Sequence, residues 1–398
     1  MIFLNLLLIH MLNAAAEKTA LDGYCDAASE TCNNEITPNE DHKLIFYDVN
    51  PPEGFNLRRD VYMRFAIMLA EAQKRGKTDW RLVLTPWNKL YHWKNNDKPV
   101  PWRSFFDVES LKSYAPVLEL SEVVDESAKP IDIDTLYVLQ NFDNPFENGV
   151  FEEKWQLVPK EECDKNYDNI SAKEVICVRF QGKISKLWEL INLHPNDKKV
   201  MFMHGEIPLH DNYGTKAYWD CRKSMKFNKT LVKKAKKFIK EKLGCDEEKC
   251  NNYIAIHWRR LDFATSRPND VPSIDGTVKQ IKDAFEKMPG IKKIFISTDA
   301  SASEVKILKS KLKEAGFKVY VYDPSASDLE KYNDGGIAII DQIICSHAAH
   351  FIGTHESTFT FRIQEEREIL GFDSSTTFNR LCPDVGACDP PSIWKIIN

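Results

Sequence analysis

The sequence predicts an α/β protein with two largely parallel sheets facing each other across a cleft, and three observations predict it. Apolar β-type runs recur along the chain with helical patterns between them, the arrangement of βαβ connections. The alternation starts afresh, and more cleanly, near Asn251. A chain of 398 residues, 43% hydrophobic and 28% charged, is long enough to bury more than one core.

In the first half the strand-like runs are KLIFYD, RLVLTPW, PVLEL, TLYVLQ and KVMFMHG. After the first of these, Val61, Phe65, Met68, Leu69 and Ala72 recur at helical spacing, in a helix that begins around Leu57 with Asn56 as its cap. The stretch from about Lys160 to Ser185 fits neither pattern and reads as an insertion. In the second half, strands YIAIHWR, KKIFISTD, FKVYVYD and HFIGT alternate with helices SASEVKILKSKLKEAG, GGIAIIDQIICS and TFTFRIQEEREI. Ser301 and Glu304 form a capping box, and Gly316 provides the stop for that helix. The pattern divides the chain into a leader over residues 1–16, a first domain over 17–230 and a second over 231–398.

The leader reading rests on MIFLNLLLIHMLNAAAEK, a short apolar core followed by small residues, without the usual positive start. No other segment offers the roughly 20 apolar residues of a membrane span, so a soluble mature protein is expected. Ten cysteines include the close pairs Cys25/Cys32, Cys163/Cys177, Cys245/Cys250 and Cys382/Cys388, with Cys221 and Cys345 apart. No zinc spacing is present, which favours disulfides and an oxidising compartment. The sequons at Asn169 and Asn228 fit the same compartment. A net charge of −5 argues against a nucleic-acid partner. The lysines between Lys223 and Lys242 lie opposite an apolar face of Leu231, Ala235, Phe238, Ile239 and Leu243 and read as solvated.

Ligands of such folds bind beyond the carboxyl ends of the strands, which directs attention to three stretches. In NPPEGFN, Pro51, Pro52 and Gly54 restrict a turn that carries Glu53 toward the cleft, with helix-start amides beside it; the alternative is an exposed turn carboxylate. In HWRRLDF, an arginine at a strand end suits a diphosphate, the alternative being a structural Arg/Asp ion pair; alternation separates Arg259 from Arg260, so Arg259 takes the functional role and that of Arg260 stays open, a structural one included. In GTHESTFTF, hydroxyls at Ser357 and Thr358 near a helix start favour phosphate. His355, Glu356 and Ser357 are adjacent and lack a nucleophile elbow, so they do not read as a triad. Asp132 and Asp134 read as a solvated turn before a strand rather than as metal ligands.

The run FYDVNPPEGFNLRRDVY, with HWRRLDF, FISTD and FIGTHESTFTFRIQEERE in this order from about Lys43 onward, resembles the protein O-fucosyltransferases, in the group that acts on thrombospondin type 1 repeats. The resemblance implies a GT-B fold and inverting transfer of fucose from GDP-fucose to Ser or Thr of folded repeats in the endoplasmic reticulum lumen; a monomer without cofactor or metal is expected. It implies that Glu53 is the catalytic base and that Pro52, Gly54, Phe55 and Asn56 belong to a donor-contacting turn. It places His257, Trp258 and Arg259 at the donor, with Arg259 stabilising the leaving group. By the same resemblance Asp341 contacts guanosine, Thr358 and Phe359 contact phosphate, and Glu366 occupies a position needed for activity. A donor site of this kind also fits an enzyme for epidermal-growth-factor-like repeats, and a silent lectin or chaperone is the rival from another class.

Overall fold

The first strand, β1 (Lys43–Tyr47), is buried over four of its five residues, as expected where helices cover both faces of a parallel sheet. The computed structural model describes residues 42–397, apart from 77–78, 89, 91–92, 95–97, 125–129, 145, 148–149, 164–168 and 209. The expected leader and the Cys25/Cys32 pair lie outside the described residues. From β1 the chain passes through helix α1 (Phe55–Lys74) into β2 (Trp80–Leu84), β3 (Val117–Glu119) and β4 (Ile131–Gln140). The short pair β5 (Phe146–Glu147) and β6 (Val150–Phe151) precedes β7 (Lys154–Val158), β8 (Ile170–Gln181) and β9 (Lys199–Met203). The order across the first sheet is β3-β2-β1-β9-β4-β8-β7. All neighbours are parallel except β7, which runs antiparallel on the edge.

Two expectations need correction here. The stretch from Lys160 to Ser185 is not an insertion: β8 pairs in parallel with β4 from Ile170 opposite Ile131 to Arg179 opposite Gln140. Its first half carries exposed residues such as Lys173 and Glu174 and only its second half is buried, which hides the strand pattern. Asp132 and Asp134 lie inside β4 rather than in a turn before it. Asp134 accepts from the amides of Lys198 and Lys199 at 2.8 and 2.9 Å and from Lys173 Nζ at 2.6 Å. Burial pushes its pKa up, but these bonds outweigh burial and hold it low.

Helices α2 (Lys216–Ser224) and α3 (Lys229–Phe238) lead to the second sheet. Leu231, Ala235, Ile239 and Leu243 are buried on one side of α3 and the turn that follows it, and Phe238 is half-buried, as the spacing predicts. β10 (Tyr253–Trp258), helix α4 (Ile274–Glu286), β11 (Lys293–Thr298), helix α5 (Ala302–Glu314), β12 (Lys318–Tyr320), helix α6 (Ala326–Ser346), β13 (His350–Gly353) and helix α7 (Thr358–Ile369) complete the alternation. The four strands are parallel, in the order β12-β11-β10-β13. The Ser301/Glu304 capping box is formed, and Gly316 follows α5 at φ 88°, where a side chain would be strained. Disulfides join Cys163 to Cys177, Cys245 to Cys250 and Cys382 to Cys388, while Cys221 and Cys345 are free and buried. Residues His42–Asn398 pack as one unit, with an apolar cluster that includes Phe65, Trp219 and Ile343. No helix of the described residues is long and apolar enough to cross a membrane.

Candidate active site

The chain leaves β1 and turns at once: the Glu53 amide donates to the Asn50 carbonyl at 2.9 Å, closing the turn over Pro51 and Pro52. Helix α1 then starts at Phe55, two residues earlier than the sequence suggests, with Gly54 at the cap position. Gly54 has an ordinary extended backbone at φ −77°, so neither its conformation nor a left-handed turn demands glycine. Asn56 is inside the helix and caps nothing; its Oδ1 accepts from Gln342 Nε2 at 2.9 Å and from Arg59 Nη1 at 3.3 Å. The first helical bond runs from the Arg58 amide to the Gly54 carbonyl, so the amides of Phe55 to Leu57 precede any intrahelical acceptor. Phe55 turns its ring into the core against Trp87 and Phe105, leaving only its backbone for a donor, and Pro52 is exposed.

Glu53 lines a cavity of about 530 Å³ with Asn50, Gln140, His204, Glu206 and His210. These residues follow or end β1, β9 and β4, three adjacent parallel strands, so the cavity sits at the carboxyl edge of the first sheet. Burial raises the Glu53 pKa from its ordinary value; the negative charge of Glu206 adds to this, and Arg58 opposes it. Arg58 itself is held on the turn, with Nε donating to the Glu53 carbonyl at 3.1 Å.

At the carboxyl edge of the second sheet, His257 is buried, with Nδ1 2.8 Å from Thr360 Oγ1 and its ring stacked on Phe359 at 4.4 Å between centroids. Burial, aided by the charge of Arg259, lowers its pKa to about 3 and keeps the imidazole neutral. Arg259 follows: its amide donates to Thr354 Oγ1 at 2.9 Å, and its guanidinium meets Asp262 at 2.8 Å and Asp299 at 3.0 Å. Arg260 points elsewhere, to Glu304 at 3.0 Å and the Pro272 carbonyl. Trp258, like Phe55, departs from the donor contact that the resemblance implies. Its side chain is fully buried in the apolar layer with Ile281 and Leu308, as strand alternation requires, so only its backbone is available.

Helix α7 begins beside this cluster. Its first internal bond is from the Phe361 amide to the Ser357 carbonyl, and Ser357 makes no side-chain cap, which leaves the amides of Thr358 to Thr360 at its positive end. Gly353 makes the close packing possible, because a Cβ there would come within 2.1 Å of Thr360 Cγ2. Asp341, on α6, accepts from Ser297 Oγ at 2.7 Å, and its buried Oδ1 finds no partner among the described residues. Burial raises its pKa to about 7, against the lowering effect of the Ser297 bond. His355 Nε2 lies 3.4 Å from Glu356 and Ser357 is buried behind them; nothing triad-like forms.

The family model described as GDP-fucose protein O-fucosyltransferase matches residues 44–370, which contain both sheets and both clusters. The chain belongs to this family. GDP-fucose protein O-fucosyltransferase 2 of Caenorhabditis elegans is 39% identical, with 96% of this chain and 97% of that protein covered. The human protein of the same name is also 39% identical, covering 89% of this chain and 90% of its own length. Among solved structures, POFUT1 in complex with GDP superposes with a TM-score of 0.56 over 82% of this chain and 95% of that one, at 17% identity, which establishes a shared GT-B fold. The chain is thus a fucosyltransferase.

In this O-fucosyltransferase Glu366 does not line the cavity; it sits at the part-exposed edge of a buried ionic network. Arg222 Nη2 reaches Glu366 at 2.8 Å and Arg222 Nε reaches Glu365 at 2.9 Å. Arg362 pairs with Asp60 at 2.8 Å and Glu365 at 2.9 Å and donates to the Tyr218 hydroxyl, which is hydrogen-bonded to Glu365. The network joins α1, α2 and α7, so one cluster braces both the helix that follows Glu53 and the helix that begins at Thr358. A second tie runs from Arg59 Nη1 to Gln342 Oε1 at 2.9 Å, one residue from Asp341. Sequence reading missed Asp60, Arg222, Arg362 and Glu365 because charged helix residues ordinarily face water. It also missed Glu206 and His204, although they follow a strand as Glu53 does and the same rule reaches them.

Proposed function

We propose that this chain transfers fucose from GDP-fucose to Ser or Thr hydroxyls of folded thrombospondin type 1 repeats, with inversion, in the endoplasmic reticulum lumen. The observation that carries the reading is Glu53, a carboxylate of raised pKa on a closed turn, lining a cavity at the carboxyl edge of the first sheet. The acceptor oxygen attacks the fucose C1 as the bond from C1 to the diphosphate oxygen breaks, and Glu53 takes the hydroxyl proton. A pKa raised by burial makes it a better base than a solvated glutamate.

The electron pair leaves with the β-phosphate. Arg259 and the free amides at the start of α7, near Phe359, stabilise that charge in this reading, in place of a metal ion. The unpartnered Asp341 Oδ1 suits the N–H donors of a guanine base. The relatives named GDP-fucose protein O-fucosyltransferase 2 support the donor and a protein acceptor.

The acceptor is tested by presenting GDP-fucose with a disulfide-bonded thrombospondin repeat, its reduced and alkylated form, and a folded epidermal-growth-factor-like repeat. A rigid repeat places one hydroxyl with less ordering entropy than a flexible chain, so the folded thrombospondin repeat should show much the highest kcat/KM. Equal efficiency on the unfolded form, or preference for the other repeat, would overturn the acceptor assignment.

A further inference from the structure

The loop after β9 carries a device that the reaction chemistry above does not use. His204 adopts a left-handed backbone at φ 60°, a conformation that costs a non-glycine residue energy. Gly205 docks directly on the end of β1: its amide donates to the Asp48 carbonyl at 2.8 Å. A Cβ on Gly205 would meet the Asp48 carbonyl and the Phe65 ring at 3.1 Å each. This tight seat delivers Glu206 to the base of the Pro51–Pro52 turn. There Glu206 Oε2 accepts from the Asn50 amide at 3.1 Å, and Asn50 is the residue whose carbonyl accepts from the Glu53 amide. The other oxygen, Oε1, lies 3.6 Å from His204 Nδ1. The Glu206 side chain is 15% exposed, so its charge is poorly screened.

We propose that Glu206 is the positioning residue for Glu53: its carboxylate fixes the turn that carries the base and keeps a negative charge beside it in the cavity. The inference rests on the reading of Glu53 as the base. A hydrogen bond to the first residue of the turn limits how far the turn can rock, and displacement of a base by about 1 Å costs on the order of a hundredfold in rate. The like charge of Glu206 disfavours ionised Glu53 and so strengthens it as a proton acceptor. The other titratable groups around Glu53 are Arg58 on its own helix, Asp48 at the end of β1, and His204 and His210 on the loop after β9. The end of β4 contributes the uncharged Gln140 and Asn141.

The two parts of the proposal separate in two variants of the full chain. Glu206→Gln keeps an oxygen for the Asn50 amide and removes the charge, so GDP affinity should be unchanged while the acid limb of kcat/KM moves to lower pH. The sign follows from linkage: loss of a nearby negative charge lowers the Glu53 pKa, and activity then persists to lower pH. Glu206→Ala removes the anchor as well, and kcat should fall on the order of a hundredfold with the KM for GDP-fucose unchanged. Should Glu206→Ala fail to fold, Glu206→Gln decides alone. An acid limb at the wild-type position in Glu206→Gln, or a change confined to the KM for GDP-fucose, overturns the proposal. Glu53→Gln is run beside them: if it is inactive and Glu206→Gln titrates like wild type, this inference alone falls. If Glu53→Gln turns over normally, the assignment of the base falls and takes the inference with it.

Discussion

Glu53 and Glu366 are both part-exposed glutamates tied to helices, one just before α1 and one within α7, and their partners differ. Glu53 lines an open cavity, and its carboxylate has no hydrogen-bond partner among the described residues. Glu366 is locked to Arg222 at 2.8 Å, beside a second carboxylate, Glu365, that is completely buried. A base must be able to release and accept a proton, so it cannot be saturated with cations. Glu366 is part-exposed, but Glu365 beside it is completely buried and survives only with a partner. In the proposed reading this difference suits the first to chemistry and the second to bracing, although the family resemblance implies that both are needed for activity.

The largest expected effect breaks the bracing side of this comparison. Arg222→Met leaves Glu365 and Glu366 without their shared cation, and removal of one partner from a buried pair costs about 3–5 kcal/mol. Chemical denaturation should show that loss as a lower midpoint, whereas a Glu53 variant should unfold like wild type. A wild-type midpoint for Arg222→Met would mean that the network is not what holds α1, α2 and α7 together.

Next in size is Arg259→Ala. Removal of a preorganised donor to developing charge costs roughly 2.7–4 kcal/mol of transition-state stabilisation. Transfer should drop accordingly at saturating acceptor, with the fold intact by circular dichroism. Near-normal turnover would reassign the arginine to its ion pairs with Asp262 and Asp299.

Asp341 gives the smallest effect and sharpens the comparison with a third acid. Its pKa of about 7 places half-ionisation near neutrality, and a carboxylate must be ionised to accept two guanine donors. GDP affinity should therefore weaken as pH falls through that value. In Asp341→Asn this dependence should disappear, with a loss of about 1–3 kcal/mol in binding. Titration calorimetry on either side of neutrality checks this, and an identical pH profile in the two proteins would remove Asp341 from base recognition.

Much of this architecture is legible in the residues. The βα alternation, the Ser301/Glu304 cap, three cysteine pairs and the place of Glu53 all follow from local signals: period, capping chemistry, short spacing and position after a strand. What escapes is tertiary. Trp258 and Phe55 stand inside motifs that mark the site, yet their rings belong to the core, because adjacent residues of a strand or helix point different ways. Asn56 looks like a cap but bonds Gln342, nearly three hundred residues on. The Asp60–Arg362–Glu365–Arg222 cluster has no linear signature at all, since its members are brought together only by packing of three helices. Strand β8 is masked by the exposed charges of its first half.

The central claim, that Glu53 takes the acceptor proton, is tested most directly in Glu53→Gln, which keeps the shape of the side chain and cannot act as the base. Single-turnover transfer should be followed with preloaded GDP-fucose and a folded repeat, together with GDP affinity by calorimetry. The account predicts wild-type GDP binding and a transfer rate lower by about two orders of magnitude or more. Unchanged transfer at neutral pH with wild-type GDP binding would contradict it.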